Sequence, residues 1–226
     1  MSPEETSALL LSMQVGVVAV LFSLPIAIAV AYVLVRWNFP GSFLLQGLVD
    51  LPLVLPPVVT GYLLLLLFSP AGAIGSFLVS IGIEVAFTWL GAAIAAAVVS
   101  FPLMVRAIRG AIQSVDQRYE MTARSLGAGR VRTFFTITLP LARYGIVAGC
   151  LLAFARSIGE FGATIMLAGD IPGQTRTIPL AIYSLGQRVD GMQQSWRLVV
   201  LSIVLALAAL LVGELLERNR SRREQN

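Results

Sequence analysis

Gln117-Arg118-Tyr119-Glu120-Met121-Thr122-Ala123-Arg124-Ser125-Leu126-Gly127-Ala128-Gly129, with Ile137-Thr138-Leu139-Pro140 a little further on, is a polar island in an apolar chain. With its flanks it forms a hydrophilic stretch from Arg106 to Arg132, too polar to enter lipid. Within it Val115, Tyr119, Thr122, Ala123 and Leu126 recur at i, i+4, i+7, i+8 and i+11, the period of one helix face, while Asp116, Arg118, Glu120 and Arg124 fall elsewhere. Gly127-Ala128-Gly129 stops that helix. A short helix placed there can lie on the lipid surface, pack under its own bundle, or dock into a groove on a soluble partner.

Outward from the island, the chain reads as spans. The stretch from about Ala8 to Val35 is long enough to cross and ends at Arg36-Trp37, an interfacial anchor pair. A second span from about Phe43 to Phe68 contains Asp50, Pro52, Pro56 and Pro57, so it must be bent or broken. Ser69-Pro70-Ala71-Gly72 and Gly75 form a short loop before a third span, about Val85 to Val105. A fourth is expected from Pro140 to Ala168, with Arg156 and Glu160 near its middle, and a fifth from about Leu198 to Leu216. Between these last two, the 169–196 stretch is a mixed polar loop whose one apolar patch, Ile178 to Leu185, is too short to cross. The expected fold is all-α, a polytopic membrane protein of about five transmembrane helices in one domain, residues 1–226.

Composition agrees and narrows the function. The 226 residues are 57% hydrophobic and only 12% charged, too apolar for an ordinary soluble domain. All 16 basic residues are arginine, His is absent, and Cys150 is the single cysteine. Without lysine the chain can carry neither a Walker A motif nor a Schiff base. Without His, and with one Cys, most zinc sites, Ser-His-Asp and Cys-His nucleophiles and disulfide frameworks are excluded, so catalytic and metal residues are expected to be none. Five spans put twelve arginines on one side and Arg176, Arg188 and Arg197 on the other. By the positive-inside rule the 106–132 loop and the C-terminus are cytoplasmic and the N-terminus, with its acidic Glu4-Glu5, is outside. That start also lacks the basic n-region of a cleaved signal. The basic balance, pI about 9.8, is thus topological, an anchor against anionic lipid with no nucleic-acid partner.

The segment from Glu120 to Gly127, with Ile137, Leu139 and Pro140 after nine intervening residues, resembles the loop that marks permease subunits of binding-protein-dependent ATP-binding cassette importers. That loop reads Glu-Ala-Ala, three residues, Gly, nine residues, Ile, one residue, Leu-Pro. Gly127, Ile137, Leu139 and Pro140 hold its spacing and Ala123 its second Ala, whereas Met121 and Thr122 stand at the first two positions and the acidic residue moves to Glu120. The stretches Ala153 to Thr164, Ile171 to Pro179 and Val49 to Gly61 are similar to the molybdate branch, and the likeness spans about residues 8–217.

The resemblance implies that Val115, Tyr119, Glu120, Met121, Thr122, Ala123, Ser125, Leu126 and Gly127 form a coupling helix seated on a separate ATPase. It also implies a second copy of the chain, two cytoplasmic ATPase subunits that use ATP and Mg, and an external binding protein delivering molybdate. The chain itself would bind no cofactor. Tungstate and sulfate or thiosulfate permeases are the nearest alternatives. Outside the family stand a passive channel and a membrane enzyme built on Asp50, Glu84 or Glu160, carboxylates that are dispersed along the chain.

The candidate path residues are Pro56, Pro57, Thr60, Arg156, Ser157, Glu160 and Thr164. An unpaired charge at the bilayer centre costs at least about 2.5–3.5 kcal/mol, so Arg156 and Glu160, four residues apart, are expected to pair. A self-neutralising pair turned into the bundle and a compensated cation offered to a dianion both fit that placement. The prolines of the second span free backbone carbonyls, which is tolerated where protein or a water-filled cavity covers the break. Gly145 to Gly149 is a G-x-x-x-G, Gly91 to Ala95 is a weaker small pair, and both, like Cys150, suggest close packing.

Overall fold

The computed structural model describes residues 2–37, 39–188 and 191–224, and among them every regular element is a helix. Helix α1, Pro3–Arg36, starts at a capping box: Glu5 N–H donates to Ser2 Oγ (3.2 Å) and Ser2 N–H to Glu5 Oε2 (2.7 Å). Its buried residues, Ala8, Ser12, Val15, Gly16, Ala19, Ser23, Ala27 and Ala31, form one stripe at helical spacing, small enough for close approach of a neighbour.

The broken second span takes a definite form. Helix α2, Ser42–Val54, and α3, Pro57–Phe68, are bent by 113° to one another. The cause is local: Leu55 precedes Pro56, Pro56 precedes Pro57, and both are extended (ψ 142° and 134°), as steric contact with a following proline ring requires. Gln46 and Asp50 of α2 bond Arg109 and Arg106, whereas Leu64, Leu65 and Phe68 of α3 reach Ile94, Ala95 and Val99. The pair therefore runs past about 20 Å of the neighbouring helix. A short α4, Gly75–Ser80, follows in what the sequence suggested was only loop.

Helix α5, Trp89–Gln113, is the centre of the molecule. It starts at Thr88, whose Oγ1 accepts from Gly91 N–H, and among the described residues it is the most deeply buried of the long helices. Beyond it lie α6, Gln117–Ser125, and a helix that begins as α7, Arg130–Thr133, passes through a π-turn over Phe134–Thr138 and continues as α8, Leu139–Ile158. α5 and α8 approach closely because Gly145 and Gly149 leave room. A Cβ on Gly149 would sit 3.2 Å from Ala107 Cβ, and one on Gly145 would collide with Ala111. The small-residue motif is a packing motif, and Cys150 beside it packs against the same core. Gly91 faces the Val85 carbonyl, so it accommodates a loop.

The fourth expected span differs from expectation. It begins ten residues before Pro140, at Arg130, and stops at Ile158; Gly159, Glu160 and Phe161 separate it from α9, Gly162–Ala168. Helices α10, Ile178–Gly186, and α11, Gly191–Glu224, complete the order. Among the described residues four helices are long and apolar enough to cross, and the α2–α3 pair brings the number to five if it counts as one span.

Candidate functional site

The polar island folds as an exposed helix clasped at one residue. Asp116 caps α6 by accepting Arg118 N–H (2.9 Å). At the far end Gly127 N–H bonds Arg124 O (3.0 Å) and Ala128 N–H bonds Ala123 O (3.0 Å), the paired bonds of a Schellman motif, with Gly127 at φ +91°. No atom lies within 4 Å of where a Gly127 Cβ would be, so glycine is required there for its dihedral and not for space.

Within α6 no residue is fully buried. Tyr119, Met121 and Leu126 are exposed, Leu126 to 84%, as are Thr122 and Ser125; only Glu120 and Ala123 turn partly inward. The apolar face expected from Val115 to Leu126 therefore splits: Val115 precedes the helix and is buried in the core, while Tyr119 and Leu126 point away from the bundle. Packing under its own bundle is ruled out for those two side chains. Exposed Val131 and Phe135 follow the helix.

Glu120 holds the clasp. Its Oε1 accepts from Arg36 Nε (3.0 Å), Arg36 Nη2 (2.8 Å) and Thr138 Oγ1 (2.8 Å), and Arg36 Nη2 also donates to the carbonyls of Ile112 and Val115 (3.2 and 3.1 Å). The ion pair is nearly dry, its side chains 8% and 13% exposed, so these charge-assisted bonds are weakly screened. One carboxylate oxygen thus ties α6 to the end of α1 and to the π-turn that opens α8, and the Arg36 it holds reaches the last turn of α5 through the Ile112 carbonyl. The π-turn was not foreseen from sequence; it sets Thr138 at Glu120, and Phe134 beside it stacks edge-on against Tyr32 of α1 (4.9 Å).

The second cluster sits at the break between α8 and α9. Ser157 Oγ donates to Ala153 O (2.8 Å) and lies within hydrogen-bond distance of Ser100 Oγ (3.2 Å), which places the break level with the middle of α5. Arg156 Nη2 meets Glu160 Oε2 at 2.8 Å, as the spacing suggested, although the two are not on one helix. Glu160, 2% exposed, uses its other oxygen to accept Ala163 N–H (2.8 Å), so from just before the N-cap Phe161 it satisfies a first-turn N–H of α9 while neutralising Arg156. Arg156 remains 31% exposed.

Helix α3 closes on this junction without a spacer. A Cβ on Gly61 would stand 2.7 Å from Ala163 Cα and carbonyl O, and one on Gly162 would stand 2.9 Å from Pro57 Cβ. Pro56 and Pro57 are exposed at the start of α3, whereas Thr60 and Thr164 are buried. Thr60 Oγ1 has no hydrogen-bond partner among the described residues. The structure therefore gathers Pro57, Thr60, Arg156, Ser157, Glu160 and Thr164 at one joint, and adds Ser100, which a sequence scan passes over as one more small residue in an Ala-rich helix. The carboxylates Asp50, Glu84 and Glu160 are not brought together: Asp50 pairs with Arg106 (3.0 Å), Glu160 with Arg156, and Glu84 lies on an exposed loop.

Comparison with known proteins follows the same lines. Residues 23–222 match the model of the family described as binding-protein-dependent transport system inner membrane component. The Escherichia coli molybdenum transport system permease protein ModB is 57% identical over 215 residues, 95% of this chain and 94% of the relative. The Salmonella typhimurium sulfate transport system permease protein CysT is 37% identical over 93% of this chain and 75% of its own length. Among solved structures, a bacterial alginate ABC transporter in complex with an alginate-bound periplasmic protein superposes with TM-score 0.73 at 20% identity, covering 97% of this chain and 80% of that one.

Proposed function

The chain belongs to the family of binding-protein-dependent transport system inner membrane components, and on that basis we propose that it is the permease subunit of an ATP-driven molybdate importer. Multi-pass residence in the inner membrane comes with the family and the helices. Molybdate is favoured over sulfate by the gap between 57% identity to ModB and 37% identity to CysT. Tungstate, of the same charge and shape, is the alternative cargo.

In this reading a second copy completes the path, because one broken five-span bundle does not enclose one. Two cytoplasmic ATPase subunits supply ATP and Mg chemistry, and an external molybdate-binding protein delivers the anion on the N-terminal side. The C-terminus is cytoplasmic. The chain itself holds no nucleotide or cofactor and makes or breaks no bond of its cargo.

The observation that carries the proposal is the geometry of α6: displayed on all but one side, yet clasped through Glu120 to Arg36 at the end of α1 and Thr138 before α8, with Arg36 in turn holding the end of α5. Tyr119, Met121, Leu126 and their neighbours Thr122, Ala123 and Ser125 form the surface seated on the ATPase, with Gly127 ending it. When the two ATPases close on ATP, α6 moves, and the Arg36–Glu120–Thr138 clasp carries that motion into α1, α5 and α8. The break at Gly159 to Phe161 is where α8 gives. There Arg156 meets the dianion half-neutralised by Glu160, with hydroxyls of Ser157, Thr60 and Thr164 close by. A fully free arginine would trap the anion; a compensated one releases it.

Uptake of labelled molybdate by proteoliposomes containing the chain, its ATPase and its binding protein tests this reading. Uptake should require ATP and be competed by tungstate far more strongly than by sulfate. Uptake without ATP would leave a passive channel, and equal competition by sulfate would move the cargo assignment.

A further inference from the structure

A second site lies on the outside of the bundle. Helices α1, α2 and α5 enclose a groove of about 420 Å³ whose walls include Phe22, Ile26, Leu48, Pro52, Val98 and Phe101. Phe22, Leu48 and Ile26 are 75%, 68% and 59% exposed, and all six lie on helices read as spans. Walls this apolar suit hydrocarbon better than water.

Its rim is not apolar. Going along α5 toward its C-terminus, Arg106 and Arg109 follow Phe101 by five and eight residues, about 8 and 12 Å. Arg109 recurs eleven residues after Val98, three full turns, so it stands above the same wall. Arg106 pairs with Asp50 yet its side chain is 59% exposed. Arg109 Nη1 donates to Gln46 Oε1 (2.7 Å), while its Nε, buried, finds no acceptor among the described residues. The rim thus holds two guanidinium groups and one carboxylate, a net positive charge, and the Gln46 amide still has N–H groups to give.

We infer that this groove with its arginine rim is a binding site for one anionic phospholipid, an acyl chain lying between α1, α2 and α5 and the phosphate meeting Arg106 and Arg109. The distance from rim to groove suits a headgroup joined to a chain, and Arg is the side chain best shaped for phosphate oxygens. Asp50 opposes an anion there, and it is already paired with Arg106. The site needs only the spans and is independent of which anion the chain carries.

The full-length purified chain, titrated with phosphatidylglycerol and, separately, phosphatidylcholine of identical chains, tests the site by native mass spectrometry. Phosphatidylglycerol should be retained several-fold more. Arg109→Gln, which keeps a partner for Gln46 and leaves Asp50 paired, should remove most of that preference; Val98→Trp, which fills the groove, should lower retention of both lipids. Equal retention by the unaltered chain, or a preference untouched by Arg109→Gln, would overturn the proposal. So would efficient disulfide cross-linking between copies carrying Leu48→Cys, since the groove would then belong to a second copy.

Discussion

At Gly127 a single dihedral ends the exposed helix. A left-handed φ costs a non-glycine residue about 1 kcal/mol or somewhat more, and Asn least among the rest. Gly127→Ala should therefore loosen the end of α6, with faster amide exchange at Gly127 and Ala128 and reduced uptake, while the thermal midpoint of the membrane bundle stays put. Gly127→Asn should retain most uptake. Open space around the position excludes a steric explanation for any loss. Glu120 shows how far single residues could be read from sequence. Its type and place next to the motif were legible, but its partners, Arg36 and Thr138, lie 84 and 18 residues away and only folding brings them together. Arg156 and Glu160 were legible as a pair because two opposite charges four apart in apolar surroundings have few other options.

Elements were legible where proline or charge marks them and opaque where packing decides. The break at Pro56-Pro57 follows from local sterics alone. The break after Ile158 does not, because Ser157-Ile158-Gly159-Glu160-Phe161 carries no proline and its neighbours continue the apolar pattern; α8 stops at Gly159, and Glu160 accepts Ala163 N–H in the first turn of α9, a bond a continued helix would not offer. The π-turn is likewise invisible in Phe134-Phe135-Thr136-Ile137-Thr138, whose composition suits an ordinary helix. The contact between α3 and α9 depends on two glycines, which gives a direct comparison. Gly61→Ala forces a methyl against the Ala163 backbone and should destabilise the bundle by about 1–3 kcal/mol. Gly110→Ala, with nothing within 4 Å, should be neutral or stabilising by up to about 1 kcal/mol through helix propensity. Thermal unfolding in detergent separates them.

Across the whole molecule, one polar clasp and one hinged joint sit at different depths of the same helix, α8: Thr138 near its start in the clasp and Arg156 near its end at the joint. A displacement of α6 enters at the first and is felt at the second, about 27 Å away along the axis. The bundle around them, small-residue stripes on α1, α5 and α8, is stiff enough to carry such a displacement. ATP hydrolysis and molybdate uptake measured side by side in proteoliposomes, for the unaltered chain and for Glu120→Gln, test that transmission. The substitution keeps the shape but removes the charge that holds Arg36, so hydrolysis should continue while uptake per ATP falls several-fold. If hydrolysis and uptake instead keep their original ratio in Glu120→Gln, the clasp does not couple the ATPase to the path.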